Sequence, residues 1–471
     1  MKNIFWKRER IEIMTALALF NYVFLGAEYL FDNMMAFQTD SGGVVLAQSY
    51  VLGSSTVGFL LFGVLDGKMR ERAKKAGSAG AGVLAAVCLW GIQVHQSYGS
   101  TLAAGLILYV LLGIAGSLVH YRAACRYGME EHLAETVGVS YAIGLFLQFL
   151  ENNLIHNAAL EAVILAVAFG VLLFLVEKKK VAGSLMERNL YESDPIRYPY
   201  AAAVMLIFTV ALMTCIFVTL DNAVTLGHAG GSMDIGQWPR LILAVSGLVS
   251  GVLFDYGKGR YRNLIMYCVT LLSTVCILVI VSGGSFLLGL IVFYLSAGFF
   301  VVFFSTGFVR LAGYMRVPQF WAGMGRAVNN LCAILIGSFS VALIQSDDST
   351  KIMIASIGLF VLISIAIYIY TVMGQTDVEL PDQERKQEEE QDYFSAFADT
   401  YALTEREQEV LKMLLASDEE VQEIANRLYI SRAMLYRYIS SLNKKTDTNS
   451  RIGLIQFYYT WKPEKKADRD D

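Results

Sequence analysis

The chain predicts an all-α protein in two parts, a bundle of about twelve membrane-spanning helices and then a small four-helix soluble domain. Three observations lead there. Of 471 residues, 55% are hydrophobic and only 17% charged. The apolar residues come in blocks of about 18–25, long enough to cross a hydrocarbon core of roughly 30 Å. That pattern stops near residue 375, and charged residues dominate beyond it.

The first set of blocks falls at 11–37, 43–65, 79–97, 101–123, 133–155 and 158–176. The second set falls at 199–221, 237–256, 263–281, 286–309, 321–344 and 351–373. The charged stretch Glu177–Tyr198 separates them, so the domain spans 1–375 as six plus six. No signal-peptide cleavage pattern precedes the first block, so Met1 is expected to remain.

Basic residues alternate sides. Lys2, Lys7, Arg8 and Arg10 precede the first span, and Lys68, Arg70, Arg72, Lys74 and Lys75 fill the second loop. Lys178, Lys179, Lys180, Arg188 and Arg197 lie in the central loop, and Lys258, Arg260 and Arg262 in the eighth. The connections Gln38–Gly43, Tyr98–Ser100 and Ser282–Ser285 carry none, and Lys351 is nearly alone on their side. Positive charge marks the cytoplasmic face, so both termini are expected inside the plasma membrane.

The halves repeat. Phe31-Asp32-Asn33 at the end of span one matches Leu220-Asp221-Asn222 at the end of span seven, an offset of 189 residues. The loop from Gly63 through Asp66, Lys68 and Arg70 is echoed by Gly251 through Asp255, Lys258 and Arg260, and Asp66 to Asp255 is again 189. Tyr109 to Gly113 and Tyr294 to Gly298 make a looser third pair. Two such halves resemble the major facilitator superfamily, whose six-helix halves enclose a site near the membrane midplane. The Gly-x-x-Asp-x-x-x-basic loop from Gly63 to Arg70, with its looser echo from Gly251 to Arg260, resembles that superfamily's loop signature. It departs from that signature where Gly-Lys-Met-Arg follows Asp66.

Ionisable groups within spans are costly and usually face a cavity or a partner. Glu28 and Asp32 share one face of span one, with Asn21 two turns further inward; Asp221 and Asn222 hold the equivalent place on span seven. In the resembled fold these helices line the central cavity. The expectation is a ligand pocket bounded by Asn21, Glu28, Asp32, Asn33, Asp221 and Asn222, suited to a small molecule with a cation or several hydroxyls. The plainer alternative makes Asp32 and Asp221 helix caps or partners of Arg240. His120, Arg122 and Arg126 read as interfacial anchors or partners of a motif-loop aspartate rather than ligand contacts, and Phe293, Tyr294, Phe299, Phe300, Phe303 and Phe304 mostly as packing.

Cysteines 88, 125, 215, 268, 276 and 332 form no CxxC pair and the five histidines show no ligand spacing, so no metal or cofactor is expected. Nor is there a nucleophile–base pair or phosphate loop to suggest an enzyme.

Residues 376–398 read as an acidic cytoplasmic linker: Thr376–Asp392 loses all apolar periodicity. The soluble domain is placed at 399–462, with a charged tail at 463–471. Thr404 and Glu407 form an N-terminal capping box. Val410, Leu411, Leu414 and Leu415 recur at helical spacing, and Val421, Ile424, Ala425 and Leu428 mark a second helix. Ser431 caps a third, and a fourth carries Ile452, Ile455 and Tyr459.

From Leu403 to Tyr459 this order, with LTxRExxVL and IAxxL, resembles the LuxR/FixJ-type helix-turn-helix. Acid loads the first half (Asp399, Glu405, Glu407, Glu409, Asp418, Glu419, Glu420, Glu423) and base the second (Arg427, Arg432, Arg437, Lys444, Lys445, Arg451). That basic half is an expected phosphate footprint. The resemblance implies that Tyr436, Arg437 and Ser440 read bases, while Arg432, Lys444 and Lys445 hold phosphates. It also implies a homodimer through the last helix. Leu435-Tyr436 stands where most members have Val-Lys, which leaves Arg437 more of the reading.

The combined expectation is a membrane-anchored transcriptional regulator of a bacterial inner membrane, sensing a small molecule and binding double-stranded promoter DNA. The rival is a facilitator-type transporter with a regulatory tail.

Overall fold

The computed structural model describes residues 8–66, 71–127, 132–177, 199–231, 234, 238–345, 349–416 and 421–461. Lys2, Lys7, Lys68, Arg70, Lys178–Lys180, Arg188, Arg197, Asp418–Glu420 and the tail at 463–471, all used in the charge reading, lie outside them. The chain divides into two compact units, Met1–Gly374 and Gln375–Asp471.

The first unit contains α1 (Arg8–Met35), α2 (Ser41–Leu65), α3 (Glu71–Val94), α4 (Tyr98–Tyr127), α5 (Leu133–Leu154) and α6 (Ala158–Glu177). The second half adds α7 (Pro199–Ala229), α8 (Trp238–Asp255), a 3-10 turn (Tyr256–Gly259), α9 (Arg262–Val281), α10 (Phe286–Ala312), the short α11 (Pro318–Trp321) and α12 (Met324–Gln345). α13 (Ser349–Thr400) closes the set. Twelve helices are long and apolar enough to cross a membrane, among the described residues. No strand occurs among those residues.

Glycines set the tightest crossings. α2 packs along α4 because Gly58 and Gly113 remove side chains where a Cβ would overlap Val110 O and Ser55 O. α5 packs along α8 through Gly138 and Gly251 in the same way. In lipid, where helix association gains little from burial, such close backbone approach supplies the van der Waals contact. Gly298 meets Ser246 much as Gly113 meets Ser55, so the third sequence pair has a packing counterpart in both halves.

The two loop aspartates behave differently. Asp66 pairs with Lys74 at 2.6 Å, inside its own half. Asp255 accepts a hydrogen bond from Glu135 N (2.7 Å) at the start of α5 and lies 3.9 Å from Arg310. It therefore ties the end of α8 to an orphan amide of the other half. Arg10 reinforces that corner, donating to Thr136 Oγ1 (3.0 Å) and His132 O (3.0 Å).

The second unit contains α14 (Glu405–Ala416), α15 (Val421–Arg427), α16 (Arg432–Thr446) and α17 (Arg451–Thr460). Its core joins Val410, Leu411, Leu414, Ile424, Ala425, Leu435, Ile439, Leu442, Leu454 and Tyr458 to Phe394, Phe397 and Ala398. The domain thus begins earlier than residue 399. The last turns of α13 pack on it: Phe397 lies 5.0 Å from the Tyr458 ring and 5.2 Å from Trp461. Tyr393 Oη donates to Tyr458 O (2.9 Å) and to Trp461 O. On α17 the inward residues are Leu454 and Tyr458; Ile452 and Tyr459 face solvent at 69% and 68% exposure.

Candidate functional site

In the first unit a cavity of about 140 Å³ is framed by α1, α2, α5, α7, α8, α10 and α12. Of the six residues expected to bound it, Glu28, Asp32, Asp221 and Asn222 line it. Asn21 does not; it sits beside the cavity, its Oδ1 accepting from Arg326 Nη2 at 3.1 Å and its Nδ2 donating to Leu17 O. Asn33 turns away, with its Oδ1 3.0 Å from His228 Nε2.

Neither aspartate caps a helix end. α7 continues through Ala229, so Asp221 lies two turns inside it rather than at its end. Asp32 is within α1, which runs to Met35. Asp32 is 2% exposed, and neither of its carboxylate oxygens has a hydrogen-bond partner. Glu28 Oε1 accepts from Gln48 Nε2 at 2.7 Å, and Asn222 Nδ2 donates to Ser340 Oγ at 3.0 Å.

Two arginines share the wall with these acids. Arg240 of α8 is buried, and its Nε has no partner. Arg326 of α12 is 6% exposed, and its Nε is unpartnered too. The rings of Phe24 and Phe304 stand 5.6 and 5.4 Å from its guanidinium carbon. No arginine–carboxylate pair among Glu28, Asp32, Asp221, Arg240 and Arg326 comes within 4.0 Å. The pairing of Arg240 with Asp32 or Asp221 that the sequence left open as an ion pair is therefore absent. Gln48, Ser49, Asn329 and Asn330 add polar groups, and Tyr141, Phe217, Phe293, Tyr294 and Phe300 add aromatic wall.

Sequence reasoning missed Arg326. Its signal was available, because it is an arginine inside the span expected at 321–344. Gln48, Asn329 and Asn330 carried no such signal, since polar uncharged residues are ordinary in membrane helices.

In the second unit the helix pair α15–α16 turns at Tyr429, whose φ of 53° is left-handed. Ser431 caps α16 by accepting from Met434 N. Leu435, Ile439 and Leu442 go inward, which leaves Arg432, Tyr436, Arg437, Ser440 and Lys444 together on the exposed face. Arg432 stacks on the Tyr436 ring, guanidinium carbon to centroid 5.7 Å.

Lys445 is not part of that face. Its ammonium donates to Glu407 Oε2 (2.7 Å) and to Ala402 O (2.6 Å), fastening α16 to the start of α14. The same carboxylate accepts from Thr404 N (2.8 Å) and from Ser441 Oγ (2.6 Å), and Glu407 N donates to Thr404 Oγ1 (3.4 Å). The capping box is thus reciprocal and extended. Burial alone would raise the Glu407 carboxyl, but hydrogen bonds from Lys445, Ser441 and Thr404 hold it down at about 2.

Residues 401–458 match the family model of bacterial regulatory proteins, luxR family. No curated protein sequence matches the chain. Among solved structures, the transporter FucP in the outward conformation superposes with a TM-score of 0.52 at 14% identity, covering 77% of this chain and 98% of that one. The human organic anion transporter MFSD10 gives 0.50 at 16% identity, with 78% and 99% covered. The nucleoside transporter NupG gives 0.50 at 13%, with 77% and 100% covered. At such identities the likeness is one of fold, and that fold is the major facilitator one.

Proposed function

We propose that this multi-pass membrane protein, with its major facilitator fold and LuxR-type domain, is a one-component transcriptional regulator of a bacterial plasma membrane. Its membrane unit senses a small molecule and its cytoplasmic domain binds promoter DNA. The observation that carries the reading is the exposed face of α16. Arg432, Tyr436, Arg437, Ser440 and Lys444 stand together on the helix that enters the major groove in a helix-turn-helix. Arg437 is the base reader, able to bond a guanine bidentately, and Arg432 and Lys444 hold phosphates. Both termini are cytoplasmic, which puts this face where DNA is.

Ile452 and Tyr459 on the open side of α17 support dimerisation through that helix. Half-sites would then lie about one helical turn of DNA apart. The cavity around Asp32, Asp221, Arg240 and Arg326 is the input site: unpaired buried charges are expensive, and a ligand that satisfies them differently in two conformations shifts their populations.

The test is genome-wide DNA occupancy of the full-length protein beside Arg437→Ala. Discrete, roughly palindromic sites lost in the variant support the regulator. An absence of enriched sites would sink it and favour the second reading, a facilitator-type transporter with a regulatory tail, for which the cavity is the supporting observation. Uptake into vesicles separates the two.

A further inference from the structure

We infer that the cavity's ligand is a compact two-ended molecule, an oxyanion that docks on Arg326 and hydrogen-bond donors at its other end that meet Asp32. The inference rests on the membrane unit being a ligand sensor. It adds an anionic group to the cation or hydroxyls that the acids of α1 and α7 suggest by themselves.

Arg326 has only neutral groups in direct contact, and Glu28, the carboxylate that acts on it, stands beyond 4.0 Å. Asn21 Oδ1 takes one N–H, while Phe24 and Phe304 stand beside the guanidinium. No carboxylate lies within 4.0 Å, and Nε has no partner. A planar fork held this way is preorganised for a carboxylate or phosphate. The opposite end is acidic on balance: Glu28, Asp32 and Asp221 line it together with Arg240, which comes within 4.0 Å of none of them. Asp32 has two buried, unpartnered oxygens, whereas Glu28 already accepts from Gln48.

Phe24, beside Arg326, and Asp32 are eight residues apart on α1, about 12 Å along a helix axis. One molecule of modest length can therefore touch both ends. A ligand with only a cation would leave Arg326 bare, and one with only an anion would leave Asp32 bare. Either omission leaves a buried charge unmatched in a site closed to water, which disfavours binding. The aromatic wall between the ends, including Tyr141, Phe217 and Phe300, suits an apolar or aromatic body. Ammonium and hydroxyl groups are the two sources of the donors.

The experiment measures thermal stabilisation of the purified full-length protein by a panel of amino acids and aromatic hydroxy acids. Each compound is run beside its decarboxylated analogue and the analogue lacking the ammonium or hydroxyl; phenylalanine, phenethylamine and 3-phenylpropionate form one such set. Stabilisation by two-ended members alone, lost in Arg326→Gln, is expected. The amino-acid and hydroxy-acid arms identify which donor is used. Stabilisation by decarboxylated analogues alone, an unaltered response in Arg326→Gln, or no response across the panel overturns the inference. If Arg326→Gln does not fold, Arg326→Lys keeps the cation without the fork and should bind at least about tenfold more weakly; equal binding would count against the docking role. Promoter occupancy is read in parallel. Two-ended binding without any change in occupancy refutes the sensor reading and leaves the ligand class standing. Occupancy driven by a ligand lacking an oxyanion does the reverse.

Discussion

Lys445 donates to Glu407 across 2.7 Å, and the pair fastens the third helix of the DNA-binding domain to the N-terminus of the first. Glu407 is buried and also accepts from Thr404 and Ser441. A buried carboxylate so thoroughly satisfied is destabilising to lose from either side. Lys445→Met in a soluble fragment spanning residues 375–471 should cost about 2–3 kcal/mol, read from urea unfolding. A change below about 0.5 kcal/mol would show the pair to be dispensable.

The same pair makes stability depend on acid. The folded carboxyl sits at about 2 against an ordinary value of 4.5, so the folded state binds this proton less readily than the unfolded one. Its contribution is complete above about pH 4.5 and is lost as pH falls towards 2. Unfolding of the fragment across that window should fall by on the order of 2 kcal/mol more than in Glu407→Gln. Parallel curves for the two proteins would exclude the assignment.

Arg437→Ala should weaken operator binding by about 1–3 kcal/mol and relax one base position. Lys444→Ala should weaken all sequences alike and lower the salt slope by about 1. Lys445, occupied internally, should leave that slope unchanged once the variant's fold is verified. Footprinting and titrations at several salt concentrations separate the three.

Tyr429 holds a left-handed φ of 53° at the turn and is 97% exposed, so its ring is not buried by the domain. Tyr429→Gly relieves roughly 1–2 kcal/mol of backbone strain against a smaller entropic cost. The net expectation is stabilisation of up to about 1 kcal/mol, visible as a higher melting temperature. Destabilisation would mean that the ring does more than the geometry indicates.

Asp32→Leu should remove ligand-dependent promoter activity while leaving the ligand-free membrane unit as stable as before or more so, because it removes an unsatisfied buried carboxylate. Reporter response and detergent melting temperature, measured together, check both halves. A retained response would take Asp32 out of the input site.

Much of the architecture was legible because it follows from periodicity and length. The twelve spans, the repeat offset and the capping box at Thr404 are patterns along the chain. The misreadings have identifiable causes. Hydropathy weakens past Asp221 and so predicts a helix end there, yet α7 runs on through Gly227 and His228 to Ala229. Charge counting groups Lys445 with the DNA contacts because it cannot tell an exposed cation from its neighbour one position round the helix, which faces Glu407. Arg326 went unremarked because it lies near the end of a span where basic residues usually anchor; only the fold shows Phe24 and Asn21 around it. The domain start at 399 followed the acidic run and passed over Tyr393, Phe394 and Phe397.

Those three aromatic residues bear on how this domain can be moved between proteins. The family match, which starts at 401, and the charge pattern, which puts the domain start at 399, both invite a cut between residues 398 and 401. A cassette made there would strip Phe394 and Phe397 from the core and leave Trp461, Tyr458 and the carbonyls that Tyr393 caps open to water. A transplantable unit has to carry the final turns of the preceding helix with it, so any chimaera joining this DNA reader to another input inherits its junction within a helix rather than within a loop.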